Sequence, residues 1–492
     1  MKLLIYGIDG GDLAVLQKFP MPFLRKFLED NASIELKSDL INRGWAEILT
    51  GKGGHETGAF YMAPTLDGTH RLSISFRMSQ LEGREDIKPM WKLFEERGLP
   101  FLIMNVPTTT PAPKVTNGVV IGSAGGGLNK IEGIPPQLVS DESVIPTLEG
   151  KNYIVDIRIP NSEYATTSDM LDDLIVMEER RTDCFIDLCQ QRGIEAGFLC
   201  NRGTTITGYL ASSEIESYDA YNTLEEFMPR HEDKSWIHKK LEEHYEMLDR
   251  QLERLYTELK PDHFIITADH GMVPHRYRAN ASAFLKQHGY TKQKESAPLI
   301  KWLRAAKNWL GFRKTTPGLM KKIPGAFDLV ASRDWRKTKA FGHRYIPGIY
   351  INDSRRFAGP VSEASIDSVV DEIVETFNML DTEERKGMRA VPYRRRFDGP
   401  HTDKLPDIKF EDADGIFFNE GVEKLIYPNP RYGPVPLAMA EVDSSDFTGT
   451  KGDQPLCVVT KNTANLVRSG DARDLTLIYH LADRATCQDS EQ

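Results

Sequence analysis

The chain has little cysteine: five in 492 residues (Cys184, Cys189, Cys200, Cys457 and Cys487), an odd number with no CxxC pair and no Cys/His spacing suited to zinc. That excludes a disulfide framework as the organising element. It fits a reducing compartment, so the cytoplasm is the expected location. No apolar run reaches the roughly eighteen residues of a membrane span, so none is expected to cross a bilayer. The N-terminal MKLLIYGIDGGD is interrupted by Gly and Asp by residue 9, too early for the apolar core of a signal peptide. An excess of positive charge is missing too: 62 Lys and Arg stand against 72 Asp and Glu, a net −10. A phosphate-tracking surface would make the chain basic, so bulk nucleic-acid binding is not expected.

What is present is 40% hydrophobic and 27% charged, ordinary for a globular protein and long for one compact core. The run LLIYGI (3–8) has the length of a buried strand and is followed by Asp9. Further strands are expected at 33–40, in PFLIMNV (100–106), in GVVIG before the glycine-rich GSAGGG (122–127), in EAGFLCN, in the run leading to ADHGM, in IPGIYIN (346–352), and in PLCVVT and LTLIYH near the C-terminus. Helices are expected over about 14–28, 90–97, 235–258 and 363–378. This alternation predicts an α/β protein with a largely parallel sheet between helices, whose ligand sites lie at the carboxyl ends of the strands.

Composition shifts in the middle. From about 285 to 345 the strand pattern fades, so 1–280 with 405–492 is expected to form the core and 281–404 an insertion or cap. Within the insertion, KWLRAAKNWLGFRK with Leu299 just before it sets Leu299, Trp302, Leu303, Ala306, Trp309 and Leu310 on one arc of a basic amphipathic helix over about 299–312. Between 292 and 322 there are nine Lys or Arg against one acidic residue. This segment either packs on the core or meets a protein partner or an anionic membrane surface.

Three apolar runs end in polar groups: Asp9, the Asn42-Arg43 turn, and Asp269-His270. Two carboxylates and an imidazole at strand ends suit a divalent ion such as Zn²⁺ or Mn²⁺. Either segment alone could equally be a helix cap. The turn in DLINRGWAEILTG is placed like a catalytic loop, yet Asn-Arg-Gly offers no Ser, Thr or Cys.

Taken in order, IDGGD, WAEILTG, MNVPTTTPAP, GSAGGG, ADHGM and KTKAFGHRYIPGIYIND resemble the type I phosphodiesterase/nucleotide pyrophosphatase branch of the alkaline phosphatase superfamily, over nearly the full length. The resemblance implies an alkaline-phosphatase-like core with an inserted cap and a site in which two metals clamp an in-line displacement at phosphorus. One ion's ligands then fall on Asp9, Asp269 and His270. The family's nucleophile falls on Ile41, counted back from either Thr50 or Trp45. The second ion's Asp and His fall on Thr204 and Gly208, and a late His on Lys451. The resemblance therefore implies one ion, Zn²⁺ or Mn²⁺, with Arg43, Lys451 and Asn42 left to stabilise phosphoryl charge. His55, His275 and His343 lie near these motifs and are read as hydrogen-bonded structural residues.

The expected function is metal-dependent phosphoester hydrolysis of the phosphodiesterase or nucleotide pyrophosphatase type, on a phosphorylated small molecule or nucleotide, with water as nucleophile. Two alternatives stay open: a catalytically degenerate relative that binds a phosphorylated ligand or serves in a protein assembly, and a different transfer reaction on the same scaffold.

Overall fold

In β1 (Leu3–Ile8) every residue is buried, and the side chains alternate between two apolar clusters: Leu3 and Ile5 in one, Leu4, Tyr6 and Ile8 in the other. A strand buried on both faces belongs in the middle of a helix-covered sheet. The computed structural model has this arrangement. It describes residues 1–73, 76–123, 133–157, 159, 163–225, 235–294, 333–420, 423–442 and 447–487.

The chain divides into two units: Met1–Tyr61, Ser75–Arg276 and Asn429–Gln492 in the first, Met62–Ile74 and Tyr277–Pro428 in the second. The expected insertion is 281–404; the second unit spans 277–428 and also takes in 62–74.

The first unit is built on a seven-stranded sheet. Its strands are β1, β2 (Ala32–Ser33), β3 (Phe101–Met104), β4 (Gly118–Ile121), β5 (Ala196–Asn201), β6 (His263–Thr267) and, after an antiparallel ribbon of β7 (Gly271–Pro274) and β8 (Gly449–Gly452), β9 (Cys457–Val459). The order is β2-β9-β6-β1-β5-β3-β4, with β9 antiparallel to both neighbours and the other pairings parallel.

Helices α1 (Leu13–Leu16), α2 (Pro22–Asp30), α3 (Gly44–Thr50), α4 (Met90–Glu96), α5 (Thr167–Arg192), α6 (Gly203–Glu225), α7 (Trp236–Leu259) and α8 (Thr476–Thr486) belong to this unit. Apolar residues of α2, α5, α6 and α7 join the cluster with Tyr6; those of α3, α4 and α8 join the cluster with Ile5. No helix among the described residues is long and apolar enough to cross a membrane.

The second unit carries an antiparallel four-stranded sheet, 340–342, 348–351, 408–411 and 389–392 in spatial order, with its own apolar core. The helix Ile366–Asn378 contributes Val369, Val370, Ile373 and Phe377 to that core. Arg356, 5% exposed, bonds Asp353 Oδ2 at 2.5 Å and Asp407 Oδ2 at 2.6 Å, a buried ion pair shared between two carboxylates.

Three local expectations are corrected. The helix over 14–28 is two helices, α1 and α2, because Pro20 and Pro22 lack the N–H that would continue it; Pro22 instead opens α2. The strand over 33–40 pairs in the sheet only at Ala32–Ser33, and beyond it Ile34 N, Lys37 N and Ser38 N bond Cys457 O, Arg473 O and Asp453 O separately. LTLIYH lies mostly in α8, whose Leu477, Ile478, Leu481, Ala482 and Ala485 recur at helical spacing on its buried face. The basic helix of about 299–312, its wider basic segment as far as 322, and the glycine-rich stretch 124–127 lie outside the described residues.

Candidate functional site

Asp9 follows β1 and Asp269-His270 follows β6, on neighbouring parallel strands with Gly7 in register with Thr267. The three side chains therefore leave the sheet at the same edge. One ligand atom from each falls within 4.8 Å of the others, and all three residues are buried. His270 Nδ1 lies 2.8 Å from the carbonyl of Gly271, which can only accept, so Nδ1 carries the proton and Nε2 presents a lone pair. Nε2 faces Asp9 Oδ1 at 3.7 Å and Asp269 Oδ1 at 3.6 Å. These distances are too long for hydrogen bonds but suit three ligands around one cation. Asp269 Oδ1 is buried with no hydrogen-bond partner among the described residues, as suits an oxygen ligand of a divalent ion.

The carboxylates are held from outside the triad. Trp45 Nε1, in α3, donates to Asp9 Oδ2 at 2.8 Å, and Thr205, in the first turn of α6, donates to Asp9 Oδ1. Thr204 donates to the Asp9 carbonyl at 2.5 Å. Tyr61 donates its hydroxyl to Asp269 Oδ2 at 2.9 Å, and Ser38 Oγ donates to the Asp269 carbonyl at 2.7 Å. Gly44 is where α3 approaches most closely: a Cβ there would lie 2.8 Å from Asp269 Cβ and carbonyl oxygen, so the Asn-Arg-Gly turn needs its glycine.

Two cations share one aromatic ring. Lys451, opposite Met272 in the β7–β8 ribbon, sets Nζ 3.5 Å from the Tyr61 ring centroid, and Arg43 Cζ is 5.5 Å from the same centroid. Arg43 Nε also donates to Phe60 O at 2.9 Å. Asn42 donates through Nδ2 to Glu47 Oε1 at 2.8 Å, and its Oδ1 is buried without a partner.

Burial and crowding shape the titrations. Burial and then the Asp9 charge raise Asp269 to about 7. Burial also acts to raise Asp9, but His270, Arg202, Lys451 and the Thr205 hydroxyl outweigh it and hold this carboxyl below its ordinary range. Burial, then Lys451, lowers His270 to about 3, which keeps its imidazole neutral as a metal ligand must be. Burial lowers Lys451 to about 8, against the pull of Asp269 and Asp9.

Of the residues singled out in the sequence, Asp9, Asp269 and His270 come together, and Lys451 and Arg43 meet at Tyr61, the residue hydrogen-bonded to Asp269. Ile41 is 5% exposed, and Ser38, the nearest hydroxyl before it, is committed to Asp269. His55 faces Glu56 at 3.9 Å and His275 Nδ1 lies 3.1 Å from Phe447 O; neither is in the triad's group. Sequence reasoning missed Tyr61, Thr205 and the donor role of Trp45. Trp45 stood in the WAEILTG frame and Thr205 beside Thr204, so both had a signal. Tyr61, 208 residues from Asp269, had none.

The strand order and its helical layers define an alkaline-phosphatase-like α/β fold. Phosphonoacetate hydrolase from Sinorhizobium meliloti 1021, solved with phosphonoformate, aligns over 98% of this chain and 95% of its own with a TM-score of 0.53 at 12% identity. Murine ectonucleotide pyrophosphatase/phosphodiesterase 5, solved in an inactive form with AMP, aligns over 99% and 95% with a TM-score of 0.45 at 12% identity. The resemblance read from the motifs is borne out: the model of the type I phosphodiesterase / nucleotide pyrophosphatase family matches residues 215–432, which include Asp269 and His270. No curated protein matches the chain.

Proposed function

We propose that the protein binds one divalent ion, Zn²⁺ or Mn²⁺, through Asp9, Asp269 and His270 and hydrolyses a phosphoester with water as nucleophile. The observation that carries this reading is the buried triad, with Asp269 Oδ1 unpartnered and His270 Nε2 open toward two carboxylates. An ion bound there supplies Lewis-acid polarisation of a phosphoryl oxygen and an acidified water. The chain's own residues do the rest. Trp45, Tyr61 and Thr205 fix the carboxylates. Lys451 and Arg43, on the ring that holds Asp269, stabilise charge that builds on the phosphoryl oxygens. Asn42, bonded to Glu47 and with its Oδ1 packed against Gly54, holds the loop rather than the substrate. Thr204 bonds the Asp9 carbonyl, Gly208 has no side chain and Lys451 is a cation, so none of the three serves a second ion.

Protein loaded with Mn²⁺ or Zn²⁺ should hydrolyse bis-p-nitrophenyl phosphate or a member of a nucleotide panel, and Asp269→Asn should lose both the ion and the activity. Two tightly bound ions per chain would show that the ligand reading is wrong. A second reading is favoured by buried Ile41 and committed Ser38, which leave the loop without a side-chain nucleophile: the site holds a phosphorylated ligand and does not cleave it. Tight binding of the ion and of inorganic phosphate, with no turnover across the panel, would select it.

A further inference from the structure

We infer that Glu178 is a positioning residue for this centre, acting on Asp9 through the first turn of α6; the inference rests on the metal-binding reading above. The hydroxyls of Thr204 and Thr205 grip Asp9 at its carbonyl and at Oδ1, so the place of Asp9 depends on where α6 begins. That start is fixed by a carboxylate from another helix. Gly203 N donates to Glu178 Oε1 at 2.6 Å, and Glu178 Oε2 lies 3.1 Å from His244 Nε2. Glu178 is in α5 and His244 in α7, and each is 1% exposed, so three helices converge on one buried acid. A Cβ at position 203 would lie 2.6 Å from Glu178 Oε2 and closer still to His244 Nε2; only glycine lets the helix start this deep. One residue earlier, Arg202 Nη1 bonds both oxygens of buried Asp156, at 3.0 and 2.8 Å, which clamps the approach from a second side.

A buried helix-start N–H that loses its acceptor is left unsatisfied, so the bond that Gly203 N donates to Glu178 fixes where the helix begins. Partners that orient a metal-binding carboxylate typically change metal affinity by about 10–100-fold when removed. A direct contact with ion or substrate is not needed for this role, and Glu178 makes its bonds behind the helix.

The test is Mn²⁺ titration of the full-length, metal-free protein by calorimetry, with thermal melting of the same samples. Glu178→Asp, which withdraws the acceptor by one methylene, should weaken Mn²⁺ about tenfold or more. Glu178→Gln, which keeps an acceptor for Gly203 N, should stay within about threefold. In a Thr204→Val/Thr205→Val background the further effect of Glu178→Asp should fall below about threefold, because the route to Asp9 is gone. Should Glu178→Asp not fold, Gly203→Ala, which pushes the helix start off the carboxylate, is held to the same tenfold expectation. Affinity unchanged in Glu178→Asp, equal loss in Glu178→Gln, or a full-sized effect in the double-Val background would each overturn the role. Asp269→Asn separates the two readings. If it leaves Mn²⁺ binding intact, the metal reading itself fails; if it abolishes binding while Glu178→Asp does not weaken it, only the positioning role fails.

Discussion

Replacing Lys451 by Met should move cation and anion binding in opposite directions. The ammonium lies on the face of Tyr61, whose hydroxyl is bonded to Asp269 Oδ2, so it stands one ring and one hydrogen bond from a proposed ligand. Taking that separation from the ion as about 7 Å, a single charge against a double one at an effective dielectric near 20 repels by about 5 kcal/mol. If solvent relaxation at this partly open position removes about half, roughly 2 kcal/mol remains, or about 30-fold in a dissociation constant. Methionine matches the lysine stem in length and flexibility, so packing is little disturbed. Calorimetric titration should therefore show Mn²⁺ binding about 30-fold tighter in Lys451→Met, while inorganic phosphate binds the metal-loaded variant more weakly by a similar factor. Mn²⁺ affinity that falls, or stays within about twofold, would refute the placement of the ammonium beside the ion.

Other outcomes follow from the same geometry. Ile41→Thr should not raise the rate on bis-p-nitrophenyl phosphate, since Thr204, Gly208 and Lys451 still offer no second ion site; a rise of about tenfold or more would show a more complete centre. Arg356→Met leaves Asp353 a buried carboxylate without its guanidinium, and Asp407 with Arg394 alone, and should destabilise the protein by about 3–5 kcal/mol in urea unfolding. Asp471 accepts from Arg484 at 2.6 and 2.7 Å, and that bond is the largest cause holding it below its ordinary 3.8. Its contribution is fully present above pH 3.8 and is lost as pH falls through the depressed folded value. Asp471→Asn should accordingly lower the melting temperature at pH 7, and the gap from the parent should close on acidification.

The parts of the fold legible in sequence were those where one local pattern decides. LLIYGI and EAGFLCN are short, apolar and β-rich, and both became central strands. The segment 476–486 was harder, because six residues of LTLIYH fit a strand and a helix face equally well, and only the following LADRAT carries the helical spacing further. Proline broke the expected first helix where the apolar pattern alone would have continued it. At the site, strand ends pointed to Asp9 and Asp269, because parallel strands deliver their final residues to one edge. Tyr61 could not be read this way: it reaches Asp269 through tertiary packing, on a loop with no periodicity to place it.

Tyr61 also links positions that otherwise look independent. Its hydroxyl answers to residue 269 and its ring carries the charges at 43 and 451, so no one of these four can change without altering what the others meet. A phenylalanine at 61 would keep both cations on a ring but leave Asp269 without a donor; a small residue would release all three at once. Homologues should therefore show these four positions varying as a block, and chains that keep Tyr61 with Lys451 should be separable by sequence alone from chains that carry histidine in place of Lys451.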